Sequence, residues 1–269
     1  RLKNMEFVAL ADFLQYVLAG AGVGFLVGLT GVGGGSLMTP LLILFNYPPH
    51  IAIGTDLFYA AGTKAGGIIA HAKQQTINWR VVFTLGAGSI PASIITIFVL
   101  KYVFGDIEKY QHILLTSLGI MLMFTAFIIL LKGRILKSTS LSAGQSAWVE
   151  KHKTILTVSM GVFLGVCVTL SSVGAGAFGA AILMILYPRM SPVTIIGTDI
   201  AHAVPLTLMA GLGHMQLGHI DFVLLASLLC GSIPAIFWGS KYSKRLPGNI
   251  LQPILAMLLL GIGMKYAFF

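Results

Sequence analysis

Two short phrases occur twice in this chain. Gly54-Thr55-Asp56 returns as Gly197-Thr198-Asp199, and Ser89-Ile90-Pro91-Ala92 returns as Ser232-Ile233-Pro234-Ala235, both 143 residues on. At that offset, with no gap, His71 meets His214, Gly31 and Gly33 meet Gly174 and Gly176, and Pro49 meets Pro192. A chain of this kind must fold as two copies of one unit. Both copies are strongly apolar, and duplicated apolar units are how many secondary transporters are built, with the ligand held between the copies near mid-membrane.

Composition sets the solvent. Of the 269 residues, 57% are hydrophobic and 9% charged, against about 25% charged in soluble domains. Too few charges remain to clothe a water-facing surface, so the chain reads as a polytopic membrane protein in a lipid bilayer. The N-terminus lacks the charged, apolar and small-residue succession of a cleaved leader, and no signal peptide is expected. The net charge of +9 does not point to nucleic acid, because the basic residues gather in short loops. That is the positive-inside pattern. Cys167 and Cys230 lie in apolar segments and match no metal spacing; they read as small packing residues with no disulfide between them.

Apolar runs between loop signals give five segments in each half: 8–30, 36–46, 50–72, 79–100 and 109–131, then 154–173, 177–187, 192–213, 220–240 and 248–268. Most approach the ~20 residues that a spanning helix needs. The second of each set is short, about 16 Å as helix, half the hydrocarbon thickness. Each follows a glycine-rich break, Gly31-Val32-Gly33-Gly34-Gly35-Ser36 and Gly174-Ala175-Gly176. The fold class is therefore all-α, polytopic and membrane-embedded, with two repeats of about five helical segments and a glycine-broken short helix in each.

Charge fixes the expected sidedness. Lys132, Arg134, Lys137, Lys151 and Lys153 place the segment 132–153 in the cytoplasm as a linker between a first repeat, 1–131, and a second, 154–269. Lys73–Arg80 and Lys241–Arg245 then also fall on the cytoplasmic side, while their counterparts in the other copy fall outside. Equivalent loops on opposite sides mean an inverted-topology repeat, with both termini outside and the chain in the cell inner membrane.

Glycine lets a backbone turn tightly and expose its N–H groups. A short helix that starts after such a break aims free N–H groups and the positive end of its dipole at the cavity beside it. Gly33, Gly34, Gly35 and Ser36 are thus candidate anion ligands, faced by Gly174 and Gly176; close helix packing through small residues is the structural alternative. Lys64 is a second candidate. It lies deep in an apolar segment, opposite Thr207 in the other copy, and Asp56 is about 80° round the same helix and about 12 Å along it. A bound anion or a carbonyl from another helix would partner it. Thr55, Asp56, Thr198 and Asp199 complete the candidate set, with the threonines also readable as helix N-caps. His71 and His214 near helix ends, and His202 three residues after Asp199, are candidates for proton coupling or gating. Pro91 and Pro234 are expected to kink equivalent helices.

The Gly31–Ser36 break before a short apolar helix, then Ile53-Gly54-Thr55-Asp56, with degenerate second copies, resembles the sulfite exporter TauE/SafE family over roughly 13–269. The resemblance implies transport of small sulfur-containing anions such as sulfite, thiosulfate or organosulfonates, and its matching positions are the glycine breaks and the two Gly-Thr-Asp phrases. Lys64 is not among them. Ala177-Phe178 stands where the first copy has glycines, so the half-sites are expected to be unequal. The expected activity is export of such an anion by alternating access, with an anion-selective channel or a proton-coupled importer as alternatives. No His-Glu-x-x-His pair, Gly-x-Ser-x-Gly turn or Cys/His metal set is present, so neither an enzyme nor a cofactor is expected.

Overall fold

The computed structural model describes residues 2–30, 35–137, 143–242 and 248–268. Among these there are ten α-helices and no strand: α1 Leu2–Thr30, α2 Gly35–Leu44, α3 Pro49–Lys73, α4 Trp79–Phe98, α5 Ile107–Lys137, α6 Ala143–Ser171, α7 Ala177–Leu186, α8 Pro192–Gln216, α9 Phe222–Tyr242 and α10 Gly248–Phe268. A π-helical turn, Val99–Phe104, extends α4. The segment read as a linker is helical over 132–137 and 143–153. Pro91 and Pro234 lie inside helices that remain unbroken.

Local sequence explains the helix starts. Asn78 caps α4 by accepting from the Val81 N–H at 3.3 Å. Asp221 caps α9 through the N–H groups of Val223 and Leu224, at 3.0 and 2.9 Å. Ser191 caps α8 from Thr194, with Pro192 next, where a missing N–H costs nothing.

Among the described residues, five helices are long and apolar enough to cross a membrane: α4 with its π-turn, α5, α6, α8 and α9. Phe83, Phe127, Phe237 and Met257 stand exposed on the outer faces, as lipid-facing side chains do. The short helices α2 and α7, ten residues each, bury most of their described side chains inside the bundle, with Leu44 and Ile185 exposed near their C-terminal ends. Broken backbone at membrane depth is tolerated where protein surrounds it.

The halves are interleaved. The helix α1 packs chiefly on α9, and α6 chiefly on α4. Gly20 and Gly24 lie against the backbone of Leu228 and Ser232, while Gly161 and Gly165 lie against that of Leu85 and Ser89. The glycines of the two contacts are 141 residues apart and their partners 143 apart, so the offset of 143 found in sequence holds from α3 onward and not in α1. The difference lies in the connections. Four residues separate α1 from α2 and four separate α2 from α3, against five and five in the second half. At the centre α3 lies on α8. Gly67 meets Ile200 and Gly211 meets Phe58, so these equivalent helices run antiparallel.

Candidate functional site

The Gly-Thr-Asp phrases sit in the second turn of α3 and α8, not at their starts, so the threonines are not N-caps. Each residue has its own task. Gly54 faces the carbonyl oxygen of His219, and Gly197 faces the carbonyl oxygen of Thr76. A side chain at either glycine would displace the turn that follows the opposite helix. Thr55 Oγ1 accepts from the Asp221 N–H at 3.1 Å, and Thr198 Oγ1 accepts from the Asn78 N–H at 3.0 Å. Both threonines are fully buried. Glycine and threonine therefore clamp each half onto the turn of the other, while aspartate points towards a broken helix.

Those aspartates are differently held. Asp56 accepts a short hydrogen bond from Thr39 Oγ1, at the fifth position of α2. Its other oxygen, Oδ1, is buried with no hydrogen-bond partner among the described residues. Asp199 lies against Gly179 in the first turn of α7, and its Oδ1 is likewise buried and without a partner. The positive dipole end of that turn faces Asp199, while the Gly179 and Ala180 N–H groups are bonded to the Gly174 and Gly176 carbonyls at 3.1 and 2.8 Å.

Between them is Lys64. Its ammonium donates to the Ala175 carbonyl at 2.6 Å, so the carbonyl partner is the one realised, and it comes from the second glycine break. Asp199 and Asp56 both lie within its electrostatic reach, yet neither forms an ion pair with it at contact distance. Thr207, its counterpart, turns back to the Ala203 carbonyl at 2.9 Å. Among the described residues, only the first half supplies a cation here.

The second break owes its shape to glycine. Gly174 and Gly176 have φ of 122° and 146°, conformations that side chains rarely adopt. Ser172 precedes them at φ 59°. A narrow polar pocket with room for about one water molecule opens here, lined by Ser172 to Ala175, Phe178, Thr125 and, from the start of α2, Ser36. The starts of both short helices thus border one pocket. Gly35 opens α2, while Gly31, Gly33 and Gly34 lie outside the described residues.

The histidines divide. His202 is not paired with Asp199; its Nε2 is 2.8 Å from Ser89 Oγ, because the helical turn that brings it near Asp199 aims the ring at α4. His71 bonds Thr76 at 2.7 Å. His214 belongs to a cluster that the sequence analysis does not assemble. Its Nε2 donates to the Thr169 carbonyl at 2.9 Å, its Nδ1 meets His219 Nδ1 at 3.1 Å, and His219 Nε2 meets Tyr110 Oη at 2.8 Å. His50 stacks edge-on to His219, ring centres 4.9 Å apart. Because a carbonyl only accepts, the neutral chain has one direction: Tyr110 donates to His219, which donates to His214, which donates to Thr169. His214 and His219 are five residues apart, so helix periodicity alone gives no hint of their contact; the turn after α8 makes it. Thr39, Ser172 and Gly179 were equally invisible, since each acts through a partner far away in the chain. Cys167 and Cys230 are both free thiols.

Comparison with known proteins gives matches over most of the chain. The family model described as sulfite exporter TauE/SafE matches residues 16–266. The chain is 40% identical over 252 residues to the "Probable membrane transporter protein YjnA" of Bacillus subtilis, covering 94% of this chain and 98% of that protein. It is 28% identical to the "Probable membrane transporter protein YdhB" of the same organism, covering 88% and 96%. A "Probable membrane transporter protein" of Xylella fastidiosa is 25% identical, covering 91% and 90%. No solved structure matches the chain.

Proposed function

This chain belongs to the sulfite exporter TauE/SafE family of membrane transporters, and from that premise we propose that it exports a small sulfur-containing anion, such as sulfite, thiosulfate or an organosulfonate, across the cell inner membrane. The observation that carries the reading is the junction at Lys64. The half-buried cation Lys64 bonds the backbone of one glycine break, at Ala175, beside a pocket that the start of the other short helix also lines through Ser36. Anions favour such helix starts, and Lys64 supplies a full positive charge beside them.

Alternating access between two repeats, 1–131 and 154–269 joined through 132–153, suits the geometry. The antiparallel run of α3 and α8 supports inverted repeats, and the narrowness of the pocket favours a carrier over an open pore. Direction follows from energy. With the cytoplasm negative, each exported negative charge gains about 2.3 kcal/mol per 100 mV.

The test is thermal stabilisation of the purified protein by anions, wild type beside Lys64→Met. Stabilisation of the wild type by sulfite, thiosulfate or methanesulfonate, and not by chloride, supports the reading; its loss in Lys64→Met assigns the lysine to the site. No stabilisation by any sulfur anion overturns it.

A further inference from the structure

We propose that the turn between α8 and α9 is an acid-released clamp: it holds α3 while His219 is neutral, and lets go when His219 takes a proton. The device does not depend on the cargo. His219 serves both of its ends. The backbone carbonyl lies against Gly54, and two residues on the Asp221 N–H bonds Thr55 Oγ1 at 3.1 Å. The ring is buried in the histidine cluster, enclosed by His50 of α3, Tyr110 of α5 and His214 of α8. Bringing that ring to water therefore moves the turn, and takes the carbonyl and the N–H off α3.

The closed cluster has little room for a proton. His214 Nε2 is committed to the Thr169 carbonyl, His214 Nδ1 to the N–H of His219, and His219 Nε2 to the Tyr110 hydroxyl. A proton on His214 Nδ1 sets two N–H groups against each other at 3.1 Å. A proton on His219 Nε2 makes Tyr110 turn its hydroxyl round to accept, and leaves a buried imidazolium. Nothing that faces His219 offsets such a charge. His50 and His214 oppose it, Tyr110 is neutral, and α6 brings only the Thr169 carbonyl. The Asp221 carboxylate of its own turn is engaged by the Val223 and Leu224 N–H groups. His50 Nδ1 is itself buried with no hydrogen-bond partner among the described residues, so charge there is no better placed. A hydrated imidazole takes a proton at about pH 6.5. The proton thus binds the released turn and shifts the population towards it. The clamp is fully held above about pH 6.5 and weakens as pH falls below that.

The other half supplies a control. Gly197 faces the Thr76 carbonyl and Thr198 accepts from Asn78, which is the same clamp at the opposite end of the antiparallel pair. Yet at the offset of 143, Thr76 stands for His219, Val193 for His50 and Pro253 for Tyr110; only His71 matches its counterpart, His214. Thr76 shows that the clamp holds without an imidazole. The histidines at one turn are an addition to it, and what they add is sensitivity to acid. Of the three histidines that the sequence suggests for gating, His214 alone belongs to this device. The proton arrives and departs at the same end of the molecule, so it moves no charge with the cargo.

Hydrogen–deuterium exchange of the full-length protein, without added anion and corrected for intrinsic rates, reads both clamps at once. Peptides carrying Asp221 and Asn78 are compared at pH 7.5 and 5.5. Protection at Asp221 is expected to fall about tenfold, the change for one proton bound only by the released turn, while protection at Asn78 stays as it is. His219→Thr, which copies Thr76, is expected to keep the clamp and lose the response to pH. Should it fail to fold, His219→Gln serves, since an amide hydrogen-bonds without titrating. Unchanged protection at Asp221 in wild type overturns the inference. So does an equal fall at Asn78, or a fall kept in full by a folded His219 variant. None of these outcomes touches the anion reading, which stands or falls on its own binding test.

Discussion

The Tyr59 hydroxyl bonds Ser232 Oγ at 2.9 Å, and the equivalent residue of the second half, His202, bonds Ser89 Oγ at 2.8 Å. Each bond crosses from a central helix of one half to the Ser-Ile-Pro-Ala phrase of the other. The phrases recur because the two halves hold one another by the same contacts. Different side chains, phenol and imidazole, do the same work at equivalent places. Tyr59→Phe and Ser232→Ala are each expected to cost about 1 kcal/mol, and a double-mutant cycle should show that the costs are not additive. Additive losses would mean that the bond contributes nothing.

Gly54→Ala and Gly197→Ala should destabilise the protein alike, by about 1–3 kcal/mol each, because a methyl at either position overlaps a carbonyl of the opposite turn. Melting temperatures in detergent check this. Tolerance at one glycine alone would show that the two clamps are not equivalent.

Thr55→Val and Thr198→Val each leave a backbone N–H, of Asp221 and Asn78 respectively, without its acceptor. A loss of about 1–3 kcal/mol is expected, with the order of preference among anions unchanged. An altered preference, measured by thermal shift over the same anion panel, would return the threonines to the ligand site.

Single cysteines at Gln74 and Gln216, in a background with Cys167 and Cys230 replaced, should label from opposite sides of the membrane. Gln74 ends α3 and Gln216 ends α8, and these helices run antiparallel. By the positive-inside rule Gln74 is cytoplasmic. Labelling from one side would refute inverted repeats.

His219 lies in the turn between α8 and α9, outside the spanning helices. Burial, reinforced by neighbouring His214 and His50, pushes its pKa down to about 3 from the usual 6.5. The unfolded chain therefore binds a proton below about pH 6.5 that the folded protein refuses, and stability falls as pH drops through that range. Melting temperature should decline between pH 7.5 and 5, and the decline should be shallower in His219→Gln. An unchanged slope would remove His219 as the cause.

The sequence by itself determined the membrane setting, the helix series and the duplication. Each follows from quantities that accumulate along the chain: apolar run length, loop charge, repeated phrases. The short helices were legible too, because the glycines before them and their insufficient length point the same way. Lys64 stood out since a charge in an apolar run has no local remedy. Only the tertiary structure decided what those residues touch. Thr55 and Thr198 were also readable as helix caps, but they lie well inside helices that begin at Pro49 and Pro192, and they hold the opposite turns instead. Asp199 and His202 looked paired by spacing, but a ring on α8 is aimed by its χ angles and by Ser89, not by its place in the helix. The likeness of Asp56 and Asp199 in sequence hides their difference: Asp56 meets its short helix at the fifth residue, Thr39, and Asp199 at the third, Gly179, about half a turn apart. Contacts between residues more than 100 positions apart depend on how helices cross, and no local pattern records that.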